Sequence, residues 1–269
     1  MTVKTTTPSA VGAMTPDRLK ASVTNFLLKY GMLIAILLLI AFFATQNEFF
    51  FTVSNFLNIA RAVSILTVVS IGVTMSVVVN GFDVSVGAVT GLAVILAPAL
   101  MVIWEVPWQL AMLISLAAGF VVGLMNAFLI VKLRIPDLLA TLGVMYLIQG
   151  AQMSITKGDA VYRGMVNPWS PDRALATGEI AETFKNLGQG YILKNLGSSD
   201  FLGIPIPVVI MLGVALVFHV LLQYTRYGRM FYATGGNREA ARLSGIPVDK
   251  YRTAAYVLSA LLATFGGLV

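Results

Sequence analysis

Asp83 and Arg61 are the charged residues placed away from the ends of the apolar, membrane-length part of the chain. An ionisable group in such a place is expensive to desolvate and is therefore a candidate for ion binding, proton relay or contact with a transported solute. Asp83 stands in the run "NGFDVSVGA", residues 80–88, which adds the amide of Asn80, the hydroxyl of Ser85 and the glycines Gly81 and Gly87. Two chemistries fit these types at this spacing. The carboxylate could hold a coupling ion, or it could be the N-cap of a helix that begins at Val84, with Gly81 and Gly87 relieving crowding at the break. A broken helix at membrane depth is tolerated only where protein or a water-filled cavity surrounds it, so both readings put the run in a bundle interior or along a translocation path. Arg61 lies close to the start of its span, where its long stem can snorkel to the headgroups.

Other chemistry is poorly supplied. The chain has no Cys and a single His, His219, which has no evident acidic partner and is read as packing or as an interfacial hydrogen-bond donor. The spans offer no paired carboxylates and no nucleophile with an adjacent base, so no catalytic residue and no metal ligand is assigned. The phosphate-cradling pattern GxxxxGK[ST] does not occur, so any ATP that drives this protein binds another chain.

The elements that must position the run follow from composition. Of 269 residues, 58% are hydrophobic and 11% charged, and the mean hydropathy is +0.85, which together indicate an all-α polytopic membrane bundle. The formal charge of +6 is spread along the edges of apolar segments and not gathered with stacking aromatics, which argues against nucleic acid. Apolar runs of span length occur at 27–44, 59–79, 84–104, 108–131, 135–155, 205–223 and from 253 onward. Residues 1–26 form a polar tail and 27–269 a transmembrane domain that stops within an apolar segment, as though a second half-domain were cut short. Lys4, Arg18, Lys20, Lys29, Lys132, Arg134 and the basic residues of 224–252 fall on one side if the N-terminus is cytoplasmic, and the connections 45–58 and 105–107 carry none. The 156–204 loop then lies outside, and Trp104, Trp108 and Trp169 fall near the outer interface.

Three further patterns bear on packing and docking. Ser115, Gly119, Gly123 and Ala127 make a small-residue stripe along one helix face, the signature of close helix approach. In the outer loop, Leu175, Ile180, Phe184 and Leu187 are spaced for the apolar face of a surface helix or lid. In 224–252, Gly235-Gly236-Asn237 reads as a turn, with Asn237 capping a short helix from Arg238 to Leu243 and Gly245 followed by Pro247 ending it.

Two of these segments, far apart in the chain, point the same way. "NGFDVSVGA" resembles the Gly-Gly-Ile-Asp-Leu-Ser-Val-Gly signature of permease subunits in the ribose, xylose and autoinducer-type branch of bacterial ABC importers. "TRYGRMFYATGGNREAARLSGIPVDKYR", residues 225–252, is similar to the cytoplasmic loop that carries their coupling element, and "LRIPDLLATLGVMYLIQG", 133–150, is similar to their segment after the second cytoplasmic turn. Asn80 stands where the family usually has its first Gly, Phe82 where it has Ile, and Val84 where it has Leu. The resemblance implies a permease in the bacterial inner membrane, with more spans in the full-length family members than in this chain. It implies Asn80, Gly81, Asp83, Ser85 and Gly87 at a broken helix on the solute path, and Gly235, Gly236, Asn237, Glu239, Ala240, Ala241 and Gly245 at the ATPase coupling site. The implied partners are ATP-binding ATPase subunits holding ATP and Mg, a second permease subunit alike or different, an extracytoplasmic sugar-binding protein and membrane lipid. No cofactor is expected on this chain. The competing reading is an ion-coupled secondary transporter or channel with Asp83 at the ion site.

Overall fold

The computed structural model describes residues 16–172, 174–192 and 203–269. The first fifteen residues of the expected polar tail, and Arg173 and 193–202 of the expected outer loop, lie outside the described residues. The chain divides into two compact units, Met1–Phe56 and Leu57–Val269. In the first, helix α1 (Pro16–Gln46) is followed by a chain of aromatic contacts from Phe43 through Phe50 and Phe51 to Phe56.

The second unit holds most of α2 (Val53–Val78), then α3 (Val86–Val102), α4 (Trp108–Ala127), α5 (Asp137–Thr156), α6 (Glu182–Gln189), a two-residue antiparallel pair β1 (Tyr191–Ile192) and β2 (Ile204–Pro205), α7 (Ile206–Tyr224), α8 (Arg226–Gly236), α9 (Arg238–Leu243) and α10 (Val248–Leu268). Each of the seven expected spans is a helix. Among the described residues, five helices are long and apolar enough to cross a membrane, covering 24–46, 53–78, 108–132, 137–156 and 206–224. The α4 span gains its last turn from a π-helical segment, Phe128–Lys132.

The two remaining expected spans depart from simple membrane helices for a common reason, which is burial in protein. At 17 residues, α3 rises only about 25 Å, short of the roughly 30 Å hydrocarbon layer. It need not span alone, because its start lies inside the bundle. α10 carries Asp249, Lys250 and Arg252 in its first turns, and its other faces pack against α2, α3 and α4.

Glycine contacts fix how these helices run. A Cβ on Gly72 of α2 would lie 2.9 Å from the Ser259 carbonyl, whereas Gly266 of α10 meets Val69 of α2, so the pair is antiparallel. Gly267 meets Thr90 and Ala93 of α3 while Ser259 meets Asp83, so α3 runs parallel to α10. Gly119 and Gly123 of α4 abut Thr264 and the Val257 backbone, again antiparallel. The small-residue stripe on α4 is therefore the seat of α10. In lipid, where apolar burial is worth little, such backbone approach and dispersion hold helices together. Val86, Val89, Leu92, Val122, Val144, Ile148, Ala260 and Ala263 fill the space between.

It follows that α2 and α3 are antiparallel, and "NGFDVSVGA" is a reversal folded into the bundle, not an in-line interruption. The 156–204 loop differs from its apolar spacing as well. The helix begins only at Glu182, and Leu175 pairs in a β-bridge with Val166 and is exposed. Ile180 and Phe184 do pack inward, against Ala93, Ala97, Met101 and Leu268, so this loop sits on the ends of α3 and α10. Arg61 reaches that loop, donating to the Gln189 carbonyl at 3.3 Å and stacking 5.1 Å from the centre of Tyr191. Its partners among the described residues are protein groups, Asn58 as well as Gln189 and Tyr191.

Candidate functional site

The reversal is built from its two helix ends. α2 terminates because Asn80 adopts the left-handed conformation, φ 53. The Asn80 N–H donates to Val77 O and the Gly81 N–H to Ser76 O, both at 2.9 Å, which closes the last turn in a Schellman motif. Asn is the commonest non-glycine residue able to do this, so its presence where the family usually has Gly preserves the turn.

The other end corrects the expected cap. α3 starts at Val86, its N-cap residue is Ser85, and no side chain caps it. Asp83 instead braces the loop ahead of the helix. Its Oδ1 accepts from the Ser85 N–H at 3.0 Å and from Ser85 Oγ at 2.6 Å, and its Oδ2 accepts from Ser259 Oγ of α10 at 2.9 Å. Ser85 Oγ also accepts from Asn126 Nδ2 of α4 at 2.8 Å. Thr141 Oγ1 of α5 accepts from the Val84 N–H at 3.3 Å, and Gln152 of α5 donates to the Ala88 carbonyl at 2.7 Å. Asp83, Ser85, Asn126, Thr141 and Ser259 are all buried. Both carboxylate oxygens are thus engaged, by three donors in all, and the loop is tied to α4, α5 and α10 at once. Asn126 Oδ1 is left without a partner.

Of the two glycines, only Gly81 relieves crowding. A Cβ there would run into Tyr256 Oη and lie 3.1 Å from Asp137 Oδ2. A methyl group on Gly87 would find nothing within 4 Å, and the residue is exposed, so its smallness serves no contact inside the chain. Next to Gly81 is a second carboxylate, Asp137. It accepts from Tyr256 Oη at 2.7 Å and from Arg252 at 3.0 Å, so it has a cation of its own beside it.

The 224–252 segment is more helical than its glycines suggest. Gly235 and Gly236 form the last turn of α8, not a turn between elements. Gly235 is pressed against the Val78 carbonyl with no room for a Cβ, whereas Gly236 is free of such contacts. Asn237 caps α9 as expected, its Oδ1 accepting from the N–H groups of Glu239 at 3.1 Å and Ala240 at 3.0 Å. Gly245, φ 79, ends it. Ala241 is buried, while Glu239, Ala240 and Leu243 are exposed. Arg238, at the start of α9, turns back to the reversal: its guanidinium donates to the Asn80 carbonyl at 2.6 Å and to Val79 O at 3.4 Å. The two candidate sites are therefore adjacent.

Charge placement in the spans points to Asp83 and passes over the residues that hold it. Asn126, Thr141 and Ser259 are neutral groups in apolar stretches, and Asp137, Tyr256 and Arg252 lie near span ends where polarity is ordinary. The available signal is an amide inside "GLMNAFLI", because a buried amide needs partners as surely as a charge does.

The family model for branched-chain amino acid transport system / permease component matches residues 55–269. The chain belongs to this family. Both the reversal and the α8–α9 segment of this permease fall within the matched region. It is similar to the ribose import permease protein of Escherichia coli, 34% identical over 91% of this chain and 69% of the relative. It is also similar to the galactose/methyl galactoside import permease protein of Salmonella typhimurium, 31% identical over 93% of the chain and 72% of the relative, and to the D-allose transport system permease protein of Escherichia coli, 27% identical over 90% and 67%. No solved structure matches the permease. It is a transport subunit, not an enzyme in its own right.

Proposed function

We propose that this permease is the membrane subunit of an ATP-driven sugar importer in the bacterial inner membrane, with its N-terminus cytoplasmic. The observation that carries the reading is the set of sugar-import permeases at 27–34% identity along nine-tenths of the chain. A sugar is favoured over the branched-chain amino acid of the family description, because ribose, galactose and allose stand in the names of these relatives. The geometry supports the division of labour. Asp83 and Ser85 are struts that hold the reversal, and the exposed Asn80, Phe82 and Gly87 form the side offered to the solute or to a second permease chain. The exposed edge of α9 with Glu239, Ala240 and Leu243 docks an ATPase subunit that holds ATP and Mg, and an extracytoplasmic binding protein delivers the sugar. Alternation between outward and inward opening is then a shift between two packings of one bundle. Because both of its oxygens are engaged by Ser85 and Ser259, Asp83 is poorly disposed to bind a coupling ion.

The test is reconstitution in proteoliposomes with the cognate ATPase and binding protein. ATP-dependent uptake of radiolabelled ribose, galactose or allose supports the reading. Uptake driven by a proton or sodium gradient without ATP would overturn it.

A further inference from the structure

The reversal is held from one side by the packed bundle and from the other by the end of α8, where Gly235 lies against the Val78 carbonyl, and by one side chain of α9. On the bundle side, α10 is wedged against α2, α3 and α4 through Gly72, Gly266, Gly267, Gly119 and Gly123, where there is no slack for a methyl group. These helices must move together, since closely packed interfaces shift between discrete arrangements and do not deform continuously. On the other side, α9 is a short element flanked by a one-residue joint at Asn237 and by the Ser244–Pro247 connection. Its contact with the reversal is the Arg238 guanidinium on the carbonyls of Asn80 and Val79.

Those carbonyls lie beyond the Schellman closure of α2, where the helix has no further amides to offer them. A cation at a helix C-terminus is also favoured by the helix dipole. Arg238 is well suited to this role, because no carboxylate pairs with it among the described residues, whereas its neighbour Arg242 faces Asp249 at 3.8 Å. One residue further along the chain from Asn80, Gly81 rests on Tyr256 and Asp137. A displacement of α9 is thus passed first to Asn80 and from there to the segment that carries Asp83.

We propose that Arg238 is the positioning residue that couples movement of α9 to the α2–α3 reversal, so that a partner's push on α9 re-sets the solute path through the Arg238–Asn80 contact. The proposal rests on the importer reading. Docking belongs to the exposed face of α9, and transmission belongs to the inward-facing Arg238.

The experiment uses the complete complex of permease, ATPase and binding protein in proteoliposomes, with ATP hydrolysis and sugar uptake measured together. Arg238→Ala is expected to co-purify with the ATPase in normal proportion and to hydrolyse ATP, while sugar moved per ATP falls by about tenfold or more, the scale of one lost charge-assisted hydrogen bond. Arg238→Lys, which retains a cationic donor, recovers part of the ratio. An unchanged ratio in Arg238→Ala overturns the proposal, and so does failure of both Arg238 variants to co-purify with the ATPase, which would make Arg238 a docking residue. Lack of ATP-driven uptake in the unmodified complex would instead overturn the importer reading.

Discussion

Ser259 Oγ donates to Asp83 Oδ2 at 2.9 Å, joining residues 176 positions apart in the chain. Ser259 lies about 16 Å along α10 from its first residue, taking 1.5 Å per residue, so the contact pins the reversal well inside the bundle. Among the described residues Asp83 is held there by hydrogen bonds, with no cation paired to it.

Asn can imitate most of this arrangement. Its Oδ1 can accept from both donors of Ser85 while its Nδ2 donates to Ser259 Oγ, so Asp83→Asn should retain part of the uptake and insert normally. Asp83→Leu orphans three buried donors at about 1–3 kcal/mol each and should abolish uptake and lower the melting temperature in detergent. Equal loss of uptake in both variants at equal membrane levels would show that the charge itself matters.

The left-handed turn at Asn80 makes a sharp distinction between substitutions. Asn80→Gly should leave stability nearly unchanged, whereas Asn80→Val, a β-branched residue forced to φ 53, should cost about 1–2 kcal/mol. Chemical denaturation followed by Trp fluorescence measures both.

Glycines of the same type should divide by position. Gly123→Ala puts a methyl against the Val257 backbone and should destabilise by about 1–3 kcal/mol through overpacking. Gly119→Ala meets the Thr264 hydroxyl, and Thr264→Ala in the same chain, which removes that oxygen, should recover part of the loss because the two sites are in contact. Gly87→Ala should stay within about 0.5 kcal/mol of the parent, so any loss of transport in that variant would report on the solute or on a second permease chain.

Removing the cap of α9 by Asn237→Ala should cost about 1 kcal/mol of local helix stability. It should speed hydrogen exchange at the Glu239 and Ala240 amides and weaken retention of the ATPase on an affinity column. Asn237→Asp should keep both.

How much of this could be read from sequence depended on how local the cause was. Asn237 and Gly245 bound a short helix by side-chain and dihedral chemistry that lies within nine residues, and the α9 limits are accordingly legible. Asp83 was legible as a residue needing partners, but not as a loop brace in place of a cap, because Ser85 and Ser259 compete for its oxygens and only the fold brings Ser259 near. α8 was concealed by Gly228, Gly235 and Gly236, which lower helix propensity. Two of these, Gly228 and Gly235, are needed where α8 meets the backbone of Leu222 and Val78. α10 was legible as a span but not as the central one, because its central position depends on grooves in α2, α3 and α4 that no local pattern displays.

That central position has a consequence in time. α2, α3 and α4 leave the ribosome before α10, so the Gly119–Gly123 groove, the Gly72 face and the second oxygen of Asp83 all await a partner still being synthesised. During that interval α3 can already pair with α4 and α5 through Asn126–Ser85 and Gln152–Ala88, and arrival of α10 fills the groove and supplies the Ser259 hydroxyl. The bundle is therefore completed by α10, the same helix that follows directly on α9.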